Sequence, residues 1–95
     1  MKREYEFVIA DSGRRQVLPV TMPAAGMCDS VALDLGRVLA AEYCNEVGDD
    51  SQERLSRENF VAKPFEEGRA QITRDGVLVA SLQRLSRERK AKENK

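Results

Sequence analysis

Between residues 69 and 83 the chain reads Arg-Ala-Gln-Ile-Thr-Arg, then Asp75-Gly76, then Val-Leu-Val-Ala-Ser-Leu-Gln. An Asp-Gly pair between two β-like runs is the strongest short-range hairpin signal, because the tight turn needs positive φ at both central positions. This feature commits the chain to an antiparallel strand pair. A regular ladder from a two-residue turn sets Arg74 opposite Val77 and Ile72 opposite Val79. Ile72, Val77 and Val79 then share one face, taken as the core face, and Leu78, Ala80 and Leu82 share the other. A competing pattern exists, since Leu78, Leu82 and Leu85 fit i, i+4, i+7 of a helix. The expectation is strand to about Leu82 and a short helix or tail beyond it.

A second hairpin is expected at the start of the chain. Tyr5, Phe7 and Ile9 alternate with Glu4, Glu6 and Val8, the period of a half-buried strand. Asp11-Ser12-Gly13 supplies turn residues, which leaves Arg14 and Arg15 at the tip. Gln16 to Met22 forms the return strand, with Leu18, Val20 and Met22 on one face. Pro19 has no N–H, so this strand is placed at a sheet edge.

Residues 30–47 carry the clearest helical pattern. At 3.6 residues per turn, Ala32, Leu33, Leu35, Leu39, Ala40, Tyr43, Cys44 and Val47 fall on one arc, with Asp34, Arg37, Glu42 and Asn45 opposite. Asp29 or Ser30 is the expected cap, and Gly48 the expected left-handed stop. Gly36 interrupts the apolar arc at a cost of about 1 kcal/mol relative to Ala, which close approach of the helix to a sheet would offset. Asp50 and Glu53 have capping-box spacing for a short second helix over residues 51–58. Phe60, Val61 and Phe65 around Pro64 read as an irregular or edge strand. The expected architecture is α+β, a small antiparallel sheet of about four strands with one main helix on a face, in the order β-β-α-(α)-β-β. Residues 1–83 form the domain, and residues 84–95 a basic tail or short helix.

What the sequence lacks narrows its chemistry. With no His there is no Ser-His-Asp or Cys-His catalysis and no His-built zinc site. Cys28 and Cys44 are the only cysteines, too few for a Cys₄ site within one chain. On one helix axis they lie roughly 24 Å apart, beyond the reach of a disulfide. Reduced thiols fit a cytoplasmic setting. No apolar run approaches the roughly 18 residues of a membrane span, and the N-terminus lacks the apolar stretch of a signal peptide. The six glycines are scattered, so no phosphate-cradling loop is formed. Asp49, Asp50 and Glu53 lack the spacing of a calcium loop. No metal, cofactor or catalytic residue is expected, and the chain reads as a binding protein rather than an enzyme.

Its formal charge is zero, with sixteen basic and sixteen acidic residues, but the charge is segregated. Residues 1–28 carry net +1, residues 29–67 net −6, and residues 69–95 net +5. Such asymmetry bears on partners rather than on fold. The acidic group is Asp34, Glu42, Glu46, Asp49, Asp50 and Glu53. The first expectation is a protein-binding surface built on these residues, imitating phosphates and occupying a basic nucleic-acid-binding groove. A small inhibitor of phage or mobile-element type, anti-CRISPR-like in size and charge only, is its concrete form. Leu78 and Leu82 are the apolar candidates for a partner surface, and a homodimer through them fits either functional reading. The alternative is nucleic-acid binding through Arg14, Arg15, Arg84, Arg87, Arg89, Lys90 and Lys92, by salt-sensitive phosphate contacts. No aromatic follows Phe65, so base stacking from that half is not expected.

Overall fold

A computed structural model describes residues 1–48 and 53–85. It is an α+β fold, one helix packed on a five-stranded antiparallel sheet. The elements run β1 (Lys2–Ile9), β2 (Arg15–Thr21), α1 (Ala25–Val47), a single 3-10 turn (Arg57–Asn59), β3 (Val61–Ala62), β4 (Arg69–Arg74) and β5 (Val77–Leu85). The spatial order is β2-β1-β5-β4-β3, so the two hairpins meet along β1 and β5. The fifth strand is the two-residue β3, formed where an irregular or edge strand was expected.

Both hairpins follow from turn chemistry. Asp75 and Gly76 take φ of 52° and 79°, the two positive values a tight β-turn requires. Gly13, at φ 74°, closes the first hairpin beneath Ile9, whose carbonyl accepts from its N–H at 2.8 Å. A third tight turn, Glu67-Gly68, has the same positive φ pair and joins Glu66 to Arg69 by two backbone bonds. β2 is an edge strand, as Pro19 requires. Met1 and Met22 exchange two hydrogen bonds, so alternation along the ladder puts Glu4 and Pro19 in a non-bonded pair. The missing N–H therefore faces out of the sheet, and no ladder bond is lost.

The β4–β5 register departs from the regular ladder. Arg74 pairs with Val77 and Thr73 with Leu78, but Ile72 pairs with Ala80, leaving Val79 as an extra residue. A bulge of this kind shifts the pairing by one, and a one-residue shift exchanges the faces of a strand. Ala80 and Leu82 therefore join Ile72 and Ala70 in the core, while Val77 is exposed. The expected face assignment for β5 is thus reversed from Ala80 onward, while Val77 and Leu78 keep the regular pairing. The strand also continues to Leu85, past the expected boundary at residue 83.

Helix α1 begins at Ala25, five residues before the expected start, with Ala24 as its cap and no side-chain capping bond. Burial of Cys28, whose thiol lies 3.8 Å from the Val20 carbonyl oxygen, draws this first turn onto β2. Ser30 turns back to bond the Gly26 carbonyl, and Asp29 is engaged elsewhere. The buried stripe is Cys28, Ala32, Gly36 and Ala40, small residues four apart, so the helix lies close to the sheet. A Cβ added at Gly36 would fall 2.6 Å from Ile72 Cδ1 and 3.0 Å from Leu82 Cδ1. This is the close approach that offsets the cost of glycine. Gly48 is extended at φ −79°, not left-handed. No helix forms over residues 53–56; the 3-10 turn instead has a capping box between Ser56 and Asn59. The core gathers Tyr5, Phe7, Ile9, Leu18, Val20, Phe60, Ile72 and Leu82 between α1 and the sheet.

Candidate functional site

Both cysteines are free and both lie on α1, Cys28 buried and Cys44 half-buried. Burial raises the Cys44 thiol pKa, and the charge of Arg74 pulls weakly the other way. Among the described residues, no three of Cys, Asp and Glu are grouped to hold a metal ion. No helix among the described residues is long and apolar enough to cross a membrane.

One polar cluster was not foreseen. Asp29, on α1, accepts a 2.6 Å bond from the Tyr5 hydroxyl on β1 and a 3.2 Å bond from Arg3. Arg84, on β5, grips both carboxylate oxygens at 3.2 and 2.9 Å. Phe65 closes the cluster, 5.1 Å from the Arg84 guanidinium and 5.4 Å from the Tyr5 ring. Burial on its own would raise the Asp29 pKa, but the Tyr5 bond and the two arginines together hold it below the ordinary carboxylate value. Burial first, and then the hydrogen bond to Asp29 and its charge, push the Tyr5 hydroxyl well above its usual range. The cluster ties α1, β1 and β5 together. It also removes Arg84 from the expected nucleic-acid set, because its guanidinium is committed to Asp29.

The acidic candidates are dispersed. Asp34 is bound to Arg57 at 2.6 Å and to Arg37 at 3.5 Å. Arg37 also donates to the carbonyls of Arg57 and Phe60, so this group holds the 3-10 turn against the helix. Glu42 and Glu46 are exposed on the C-terminal half of α1, and Glu53 is exposed on the loop. Asp49 and Asp50 lie outside the described residues, as do Arg87, Arg89, Lys90 and Lys92. Leu82 is 1% exposed and packs in the core, so it offers nothing to a partner; Leu78 is 43% exposed.

Arg14 and Arg15 do stand at the hairpin tip, but they face carboxylates. Arg14 reaches Glu46 at 3.9 Å and lies 5.9 Å from the centre of the Tyr43 ring. Arg15 reaches Glu6 at 3.4 Å. The expected acidic and basic surfaces are therefore neighbours across one groove of about 240 Å³. Its floor is Phe7, Ile9 and Leu39; one wall is Arg14, Arg15 and Gln16, and the other is Glu42, Tyr43 and Glu46. The open face of the sheet carries Glu4, Glu6 and Val8 on β1 and Ser81 and Gln83 on β5, with Gln71 and Arg69 beyond them. Sheets that read single-stranded RNA stack bases on aromatics at such positions, and none is present here.

Comparison with protein-family models, with curated proteins and with solved structures finds no match.

Proposed function

We propose that this chain is a non-catalytic binding protein of the cytoplasm that engages a protein partner through the acidic edge of α1. The observation that carries the reading is the placement of Glu42 and Glu46, exposed beside a groove with an apolar floor. The last turn of α1 holds no basic residue, so the partial negative charge of the helix end adds to these carboxylates. A partner presenting Lys or Arg beside an apolar side chain has both halves of its contact answered. A nucleic-acid-binding protein with a basic groove is such a partner, and an inhibitor that occupies the groove is the role this implies. Asp29 and Tyr5, two of the residues with displaced titration, are bound to each other, and Asp29 also to Arg3 and Arg84; the third, Cys44, is shifted by burial. That supports a structural rather than an acid–base use.

Direct nucleic-acid binding is the weaker reading. Arg84 is held on both oxygens of the Asp29 carboxylate, and Arg15 reaches Glu6. The full chain, immobilised and exposed to extract of its native host, tests the choice. Wild type is expected to retain a partner with a basic surface, and the Glu42→Lys/Glu46→Lys variant to lose it. Unchanged capture by that variant overturns the reading. A salt-sensitive mobility shift of nucleic acid by the purified chain would favour the alternative.

A further inference from the structure

We propose that two copies of this chain associate two-fold through the end of the molecule where α1 finishes and β5 begins. The inference stands apart from the partner reading above, because it uses a different surface. Val47 and Val77 are 61% and 65% exposed, and Leu78 is 43% exposed. With Tyr43, Cys44 and Val79 they line an open hollow of about 510 Å³. Water-exposed aliphatic side chains gathered at one place mark a contact surface more strongly than the same residues scattered singly.

Charges of both signs flank the hollow, Asp11 on one side and Arg74 beside Asp75 on the other, which favours a second copy over a partner of one charge sign. Asp11 borders it from the β1–β2 turn. Arg74 stands at the opposite flank, on β4, with β5 between, and its charge is felt at Cys44. Neither makes an ion pair among the described residues. A two-fold axis in the contact plane exchanges the flanks, so Asp11 of one copy meets Arg74 of the other, twice. An isologous contact requires such self-complementarity. A uniformly basic or acidic partner would satisfy one flank and oppose the other. The chain's zero formal charge also leaves no net repulsion between copies.

Sedimentation equilibrium of the full chain, from about 1 µM to about 500 µM, tests the proposal. The expected result is a concentration-dependent doubling of mass. The Val77→Glu/Leu78→Glu variant is expected to stay monomeric, with an unchanged circular dichroism spectrum because both side chains are exposed. Each substitution occurs twice across the axis, so a tenfold loss per site becomes about a hundredfold weaker association. Asp11→Arg and Arg74→Asp should each weaken the dimer, and the double exchange should restore it. Alkylation of half-buried Cys44 should slow as concentration rises. A monomer throughout the range overturns the proposal, and so does a dimer indifferent to the Val77 and Leu78 changes.

Discussion

Replacing Gly36 with Ala sets two effects of opposite sign against each other. Helix propensity alone favours Ala by about 1 kcal/mol. The new methyl, however, would stand 2.6 Å from Ile72 Cδ1 and 3.0 Å from Leu82 Cδ1. Carbon atoms in contact prefer about 3.5–4.0 Å, so the Ile72 methyl must withdraw by roughly 1 Å. Ile72 and Leu82 are fully buried, and neither methyl has solvent to move into. Overpacking of a closed core costs about 1–3 kcal/mol. The net expectation is a loss of about 1 kcal/mol, or a Tm lower by about 4–8 °C for a domain of this size. Urea or thermal denaturation followed by circular dichroism measures it. Ile72→Val removes the crowding methyl at its own cost of about 0.5–1.5 kcal/mol. In that background Gly36→Ala should cease to destabilise, a coupling above about 0.5 kcal/mol. If Gly36→Ala alone raises stability by about 1 kcal/mol, the helix does not approach the sheet as described.

The register of β5 predicts that Leu82→Ala costs about 2–5 kcal/mol, while Leu78→Ala costs less than about 1 kcal/mol; equal costs would contradict the bulge. Asp29→Ala strands the buried Tyr5 hydroxyl and releases two arginines, for a loss of about 2 kcal/mol in urea titrations. The folded-state pKa of Asp29 is lowered, so its contribution is complete above its unfolded pKa and disappears as pH falls through the folded value. Wild type should therefore lose more stability than Asp29→Asn between about pH 6 and pH 3. Pro19→Val restores an outward N–H on the free edge of β2, and light scattering at high concentration should show increased aggregation with little change in Tm.

The parts of this fold that were legible in the sequence are those decided by neighbouring residues. Asp75-Gly76 makes its turn from its own backbone preferences, and Pro19 marks an edge wherever it sits. The existence of a helix over residues 31–47 and the meaning of Gly36 were likewise legible, but not its buried face: Leu35 and Val47 of the expected apolar arc are exposed, and Cys28, Gly36 and Ala41 are buried. Three features depended on the assembled structure. The bulge at Val79 sets Ala80 opposite Ile72 and carries Ala80 and Leu82 into the core, and no local residue pair announces it. The first turn of α1 is held by Cys28, buried against β2, so the polar residues Asp29 and Ser30 lie inside the helix rather than at its cap. The Asp29 cluster joins residues 24 to 55 positions apart, and no sequence spacing announces it. Glu67-Gly68 carries only a weak local signal, because Glu is uncommon at positive φ. At the candidate site, Glu42, Glu46, Arg14 and Arg15 were named correctly as surface residues. Their meeting across one groove required the hairpin to fold back beside the helix.

Backbone amide chemical shifts of the labelled chain, recorded before and after addition of the captured partner, test the binding account most directly. The account predicts the largest changes at Glu42, Tyr43 and Glu46 and across the groove at Arg14 to Gln16. Changes confined to Glu4, Glu6 and Gln83 on the open sheet face, with the α1 amides unmoved, would contradict it.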